Sequence, residues 1–488
     1  MSSDVIIVGA GVIGSAIARE LSRKKLRILV LEKELDVAFG NSSRNTGMLH
    51  AGFTYKPGSL KAELCVEGNR EFDEVADELG VSFRRTGKVV IGFNDDDLER
   101  ILKFKAIGEE NGVEDLEIID RARLDEIAPG AGGNFAMHCP TSGILDPIGY
   151  TIALAENAAT NGVEFRFGEK VTGIERNDGM YEVTTDKGLH MGRWIINAAG
   201  MNSCAISDML GFKRDYIVKG FKGEYIVLDK SLGKHLNIPV YPAPDEKGGF
   251  STHATPTIDG NVLVGPDSYV TFDLEDYETT KLHLDGLYED GKRMFPYMDR
   301  QSYIRSFAGI RVKRVNPMTN ENLDFLIEDD SEFPNAINLV GIESPGLTCS
   351  LPIARRVSSL LGKAEALEEN SNFNPVRLKT ERFSEATNEE RAKLIENDPD
   401  YGEIICRCEK VTKKEIIEAI RNPLGAATVA SVKNRTRAGM GRCDGGYCQM
   451  RITELIESEL GLKETDIRYK ARVSYMFTGR VRDEIKEG

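Results

Sequence analysis

The sequence predicts a chain of mixed α/β and α+β class: a Rossmann-like α/β unit, a β-rich unit inserted into it, and a small α-helical module near the C-terminus. Three observations carry this prediction. A glycine-rich turn joins a buried strand to a helix within the first 33 residues. The middle of the chain alternates short strand-like runs with polar turns. Four cysteines then fall between residues 406 and 448.

The first unit rests on residues 4–33, DVIIVGAGVIGSAIARELSRKKLRILVLEK. Residues 5–8 are a short apolar run rich in β-branched side chains, which suits a strand buried on both faces. Gly9, Gly11 and Gly14 follow in G-x-G-x-x-G spacing. Ile13, Ala16, Ile17 and Leu21 recur at helical intervals, and a second buried strand over 27–31 ends at Glu32. The first glycine permits a tight turn, the second lets backbone approach a pyrophosphate, and the third lets helix pack on strand. The helix N-terminus offers unpaired N–H groups to the phosphates. Glu32, eighteen residues past Gly14, is placed to accept a ribose hydroxyl. An ordinary β–α turn explains neither Gly11 nor Glu32, so the stretch reads as a dinucleotide site.

The next elements follow in order. Residues 39–58 form a loop of small and polar residues placed to lie against a ligand, followed by a helix to about residue 80. A strand over 87–93 and a charged amphipathic helix over 96–112 come next. A strand-turn-strand over 163–175 precedes strands at 180–185 and 194–198, the last running into the small pair Ala199-Gly200. Strand-like pieces at 224–228, 249–253, 261–264 and 303–311 make up the inserted β-rich unit. A buried strand at 336–341 and a turn lead to an apolar helix ending near Gly362. Composition turns polar over 365–400, a linker or covering segment. The module at 402–462 has helices at 413–421 and 449–460; the tail 463–488 has mixed charge and no predicted element.

Bulk properties exclude some functions. A formal charge of −15 argues against nucleic-acid binding. No apolar run approaches the roughly 20 residues that span a bilayer. The first strand begins at about residue 5, which leaves no room for a signal peptide and points to the cytoplasm.

Cys65, Cys139, Cys204 and Cys349 are scattered and read as buried thiols. Cys406, Cys408, Cys443 and Cys448 are clustered, which in a reducing compartment points to metal rather than disulfides. Four soft ligands hold either a [2Fe–2S] cluster or tetrahedral zinc, and a C-x-C pair is less typical of zinc. Arg407, Lys433, Arg435, Arg437 and Arg442 crowd the segment, where positive charge would offset thiolate and cluster charge.

The stretches VIIVGAGVIGSAIARELS, SSRNTGMLHAGFTYKPGSLKAELCVEGN, INAAG, TPTIDGNVLVGP, GIRVK and GIESPGLTCSLPIA resemble the D-amino-acid-oxidase-like FAD oxidoreductases. Within these, the chain is similar to the catalytic subunits of anaerobic glycerol-3-phosphate dehydrogenases and to L-2-hydroxyglutarate dehydrogenases. The segment from ICRCEKVT through KNRTRAGMGRCDGGYC resembles the bacterioferritin-associated-ferredoxin type of [2Fe–2S] domain. The resemblance implies an FAD-dependent oxidoreductase over 1–365. Its FAD-binding pieces would be about 1–80, 145–215 and 310–365, with the substrate domain about 81–144 and 216–309. A linker at 366–400, a [2Fe–2S] domain at 401–462 and the tail 463–488 would complete the chain.

The same resemblance implies FAD rather than NAD. Gly9, Gly11, Gly14, Glu32 and Lys33 would hold the pyrophosphate and adenosine ribose, and Ser42, Ser43, Arg44, Asn45 and Gly47 would wrap toward the flavin. Val171 would meet the adenine through its backbone, and Ala199 and Gly200 would line the FAD. Gly341, Gly346, Leu347 and Thr348 would contact the isoalloxazine, where a helix N-terminus stabilises an anionic reduced ring. Arg311 matches the family's anion-binding arginine, although Val312 stands where related enzymes usually have proline. A guanidinium offers planar bidentate donors to carboxylate or phosphate, and Lys313 and Arg314 are placed to assist. His50 is the first candidate for removing a substrate hydroxyl proton and His253 the second. His138, His190, His235 and His283 read as surface residues.

The implied reaction is dehydrogenation of a small anionic secondary alcohol. The first choice of substrate is sn-glycerol 3-phosphate, the second L-2-hydroxyglutarate or another 2-hydroxy acid, and the third an amine or imino acid. Electrons would pass through the [2Fe–2S] cluster to a partner subunit or quinone, with any membrane association arising through that partner. A reading from another class is an electron-relay subunit without substrate turnover of its own.

Overall fold

The computed structural model describes residues 2–245, 249–250, 252–378 and 381–479. Alternation along the first strand sets the architecture. In Ser3–Val8, Val5 and Ile7 face one core while Ile6 and Val8 face another, so the strand is covered on both sides. It pairs in parallel with Ile28–Glu32 on one side and Leu189–Asn197 on the other. Glu164–Phe167 extends the eight-stranded sheet beyond Ile28–Glu32, and Ala336–Val340 pairs in parallel with Leu189–Asn197. An antiparallel ribbon, Val171–Asn177 and Met180–Thr185, and the strand Leu326–Asp329 complete it.

Helices Val12–Leu21, Leu60–Leu79, Pro147–Thr160 and Ser350–Ala364 contribute Ile17, Phe72, Tyr150 and Ile353 to the core beside Val5 and Ile7. Helix Ser203–Leu210 closes the other face. The predicted α/β class holds.

A nine-stranded sheet draws on two stretches of chain. Lys88–Gly92, Glu117–Asp120 and Phe135–Cys139 come from the first; Ile217–Leu228 through Tyr303–Val315 come from the second. Val240–Pro242 pairs in parallel with Lys88–Gly92 and joins them. Ile217–Leu228 and Tyr303–Val315 run antiparallel along nearly their whole length, and Val312 lies inside that ladder opposite Gly220. The strand therefore continues through the position where the family resemblance implies proline, a residue that cannot donate to a ladder.

Several predicted bounds shift. The strand expected over 249–253 begins at His253, and Ser251 lies outside the described residues. Helix Lys281–Met294 sits inside a stretch read as strands and turns, because only Leu287, Gly291 and Met294 of its charged sequence are buried. Helix Asn388–Asn397 buries no residue and starts from a Thr387–Glu390 capping box, so apolar periodicity does not betray it. The tail returns to the body: Ile467 joins the module's core, Lys470 lies over the Phe39 ring, and Arg472 pairs with Asp186. Residues 480–488 of the tail lie outside the described residues.

The module has its own core, with Ile405, Ile416, Val432, Ile452 and Ile456 from its strand and three helices. Arg435, buried, bonds Asp36 at 2.5 Å and Glu156 at 3.0 Å; Arg437 reaches Asp259 at 2.7 Å, and Lys230 reaches Glu409 at 2.9 Å. Arg435 and Arg437, expected to offset cluster charge, are committed to ion pairs that seat the module against both sheets. Among the described residues, no helix is long and apolar enough to cross a membrane.

Candidate active site

The glycine turn forms where the first strand meets its helix. Gly9 takes φ +107°, and a Cβ there would sit 2.6 Å from the Ala198 carbonyl oxygen. At Gly14 a Cβ would lie 1.9 Å from the Gly9 carbonyl oxygen, so the helix seats only because that position lacks a side chain. At Gly11 a Cβ would meet only Ser42 Oγ, at 3.2 Å, which leaves the mouth of the turn clear. The Val12 amide donates to Ser42 Oγ at 2.9 Å. Glu32 accepts from the Ala10 amide at 2.7 Å and the Glu34 amide at 2.9 Å. Burial raises its carboxyl above the ordinary range despite those two amides. Glu169 N donates to Glu32 O at 2.9 Å, which brings Val171 to the same edge. Ala199 and Gly200 border the turn through Ala198, and a Cβ on Gly200 would meet nothing within 4 Å. This clear cradle with one half-buried acid fits the pyrophosphate and ribose of a dinucleotide. Lys33 does not join it: its Nζ is held by Glu275 at 2.7 Å.

The loop after the second strand clasps the other sheet. Asn41 Oδ1 accepts from Ile310 N at 3.0 Å, and Arg44 donates to Ala308 O at 3.1 Å with its guanidinium 3.8 Å over Tyr277. Ser43 donates to Gly40 O at 3.0 Å and Asn45 accepts from Gly47 N at 2.8 Å, bonds that shape the loop itself. Gly47, at φ +66°, approaches Leu145 O so closely that a Cβ would lie at 2.3 Å. The loop over 341–348 closes from the opposite side. Arg314 fills the space beside Gly341, Gly346 N donates to Glu343 O at 2.5 Å, and Leu347 O accepts from Ser350 Oγ at 2.9 Å. Thr348 Oγ1 accepts from His50 N at 3.0 Å, which joins the two loops.

His50 is half-buried, with Nε2 3.5 Å from Ser344 Oγ. Burial, then the charges of Lys88 and His253, push its imidazole down to about 3, so it is neutral at physiological pH. His253 stacks on Tyr241 with ring centroids 3.8 Å apart. Arg311 donates to Asp267 O at 2.9 Å, and its charge, with those of Lys61 and Lys313, helps draw the Glu343 carboxyl down against its burial. Lys61 bonds Glu343 at 2.5 Å. Arg314 does not assist: strand alternation turns it to the other face, over Tyr216 at 4.3 Å and bonded to Asp324 O. The four histidines read as surface residues are half-buried instead. His190 bonds Glu169 at 2.8 Å, His283 bonds Asp267, and His235 stacks on Tyr297.

Sequence reasoning missed Lys61, Lys88, Tyr241 and Glu343. Lys88 is 1% exposed, with Nζ 4.3 Å from the ring centroids of both Phe53 and Tyr241. Burial pushes its ammonium down to about 8. The available signal was a lysine inside the apolar run GKVVIGF.

In the module, the four cysteines gather as two pairs. Cys406 and Cys448 are buried and hydrogen-bonded to each other, a bond that draws the Cys406 thiol below its ordinary range. Cys408 and Cys443 are exposed with sulfurs 3.5 Å apart. A Cβ on Gly441 would lie 2.2 Å from Cys408 Cβ, so glycine is required for this approach. Two thiol pairs suit a two-iron cluster, whereas one tetrahedral zinc needs four sulfurs about a single point. Among the described residues, no three His, Cys, Asp or Glu side chains gather around a single-ion position.

Comparison with known proteins agrees with this arrangement. Residues 4–360 match the family described as FAD dependent oxidoreductase, and residues 404–458 match the BFD-like [2Fe-2S] binding domain. A glycerol 3-phosphate dehydrogenase of Caloramator mitchellensis is 38% identical over 486 residues, 99% of this chain and 100% of the relative. The mitochondrial L-2-hydroxyglutarate dehydrogenase of Homo sapiens is 30% identical, with 64% of this chain and 73% of that protein covered. Among solved structures, the FAD-bound, dithionite-reduced L-alpha-glycerophosphate oxidase of Mycoplasma pneumoniae superposes with a TM-score of 0.72 at 29% identity, over 77% of this chain and 98% of that one. The chain belongs to the FAD-dependent oxidoreductase family and joins to its FAD-binding portion a BFD-like [2Fe–2S] domain.

Proposed function

We propose that this enzyme oxidises sn-glycerol 3-phosphate to dihydroxyacetone phosphate and passes the electrons through its [2Fe–2S] cluster to an external acceptor. The observation that carries the substrate class is the cationic corner in which Arg311, Lys313 and Lys61 face the Glu343 carboxylate. A phosphate monoester carries about −1.5 to −2 at neutral pH and presents three acceptor oxygens, and the Arg311 fork suits it. The neutral His50 imidazole, its Nε2 3.5 Å from Ser344 Oγ next to Glu343, accepts the hydroxyl proton, while His253 and Tyr241 form an aromatic wall. FAD, when bound, takes an electron pair from the alcohol, and the cluster passes electrons on singly.

L-2-hydroxyglutarate is the second reading, supported by the similarity to L-2-hydroxyglutarate dehydrogenases. Its two carboxylates lie at opposite ends, whereas Arg311, Lys313 and Lys61 converge on Glu343, which favours one terminal dianion. The acceptor is a partner protein or quinone, and the enzyme works in the cytoplasm, reaching a membrane only through such a partner. Anaerobic mixing with each compound tests the choice: glycerol 3-phosphate bleaches the flavin band at lower concentration, and a preference for L-2-hydroxyglutarate reverses the order.

A further inference from the structure

We infer that the outward edge of the four-cysteine loop is a docking surface for an acidic one-electron carrier protein, an inference that rests on the reading that electrons leave through the cluster. The two thiol pairs are polarised. Cys406 and Cys448 are each 1% exposed in the module's core, whereas Cys408 and Cys443 face solvent. Arg407, Lys410, Arg442, Tyr447 and Met450, all exposed, lie within seven residues of Cys408 or Cys443 along the chain. Tyr447 and Met450 are each 53% exposed, and the Arg407 guanidinium lies 4.3 Å over the Tyr447 ring.

The carboxylates in this loop are already committed. Glu409 is buried and bonded to Lys230 and Arg437; Asp444 is held by Arg305, with Lys433 at 3.9 Å. Among the described residues, Arg407, Lys410 and Arg442 make no salt bridge within 4 Å, and the Arg442 charge helps draw the Asp229 carboxyl down. The edge thus carries three exposed basic side chains with exposed Tyr447 and Met450, on a chain of net charge −15. An apolar centre inside a charged rim is the anatomy of an interface, and the local sign selects an acidic partner. Arg305 and Lys230 of the body hold one side of the loop through Asp444 and Glu409, while Cys408, Cys443 and the side chains beside them stay exposed. The carrier is the oxidant: each docking event removes one electron, and two events balance the pair taken from the alcohol.

The test is a titration of the purified, iron-loaded protein with a flavodoxin, an acidic carrier, at low and raised salt without substrate. Binding is expected to weaken with salt, and R407E/R442E to raise Kd about tenfold or more. K103E, a charge reversal at a well-exposed lysine on another helix, leaves Kd unchanged. Iron content is measured for every variant; where R407E/R442E loses iron, M450E, which adds an acid to the patch without touching a ligand, decides by the same rise. Equal Kd for wild type and these variants, insensitivity to salt, or preference for the basic carrier cytochrome c overturns the inference. Because no substrate is present, a protein that docks flavodoxin yet is not reduced by glycerol 3-phosphate leaves docking standing and removes the substrate reading.

Discussion

His50 is held neutral by where it sits rather than by a bonded partner. Its loop packs against Cys65 and Asn69 of one helix and Thr348 of the 341–348 loop, while Lys88 and His253 face it from two strands of the nine-stranded sheet. The other ring nearby is Tyr55, at 6.5 Å. Because its folded value near 3 lies below the unfolded value near 6.5, its contribution to stability is present above pH 6.5 and falls away as pH drops toward 3. For the reaction, this places the acid limb due to His50 well below pH 6.5. Replacing Lys88 by Met removes a positive charge, so the acid limb of flavin reduction is expected to move to higher pH; an unmoved limb contradicts the coupling. His50→Gln is expected to slow substrate-driven flavin bleaching by roughly 10²–10⁴ with FAD retained, as for loss of a positioned base. Stopped-flow absorbance checks both variants.

The glycine turn was legible because its requirements are local: three glycines, a strand, a helix and an acid all lie within one βαβ stretch. Its expected failure is equally local. Gly14→Ala puts a methyl 1.9 Å from Gly9 O, so the purified variant is expected to lose most of its bound FAD, read from the flavin-to-protein absorbance ratio. The cysteine spacing was legible for the same reason, but the division of the four thiols into an inner and an outer pair depends on packing around Gly441. Lys61, Lys88 and Glu343 were not legible as a group, since a helix, a strand and a loop bring them to the site from distant parts of the chain. Arg314 shows the opposite error: adjacency to Lys313 suggested a shared role, and strand alternation sends the two side chains to opposite faces. The helix at 388–397 escaped notice because its stability comes from a capping box and solvated polar residues rather than from a buried stripe.

At the scale of the whole molecule, the buried ion pairs of Arg435 with Asp36 and Glu156 tie the [2Fe–2S] module to the FAD-binding sheet. Removing one member of a buried pair leaves uncompensated charge and typically costs about 3–5 kcal/mol. Arg435→Met is therefore expected to lower the thermal midpoint and to make the module susceptible to proteolysis between residues 366 and 400; an unchanged midpoint contradicts that role. The account's central claim is that one polypeptide takes an electron pair from a small anionic alcohol and releases it one electron at a time. Anaerobic addition of sn-glycerol 3-phosphate to the purified protein tests it most directly, with flavin absorbance and the paramagnetic signal of the reduced cluster followed together. The account requires the flavin band to bleach and the cluster signal to rise. A flavin that stays oxidised with glycerol 3-phosphate and L-2-hydroxyglutarate but bleaches with a secondary amine, or one that bleaches while the cluster stays oxidised, contradicts it.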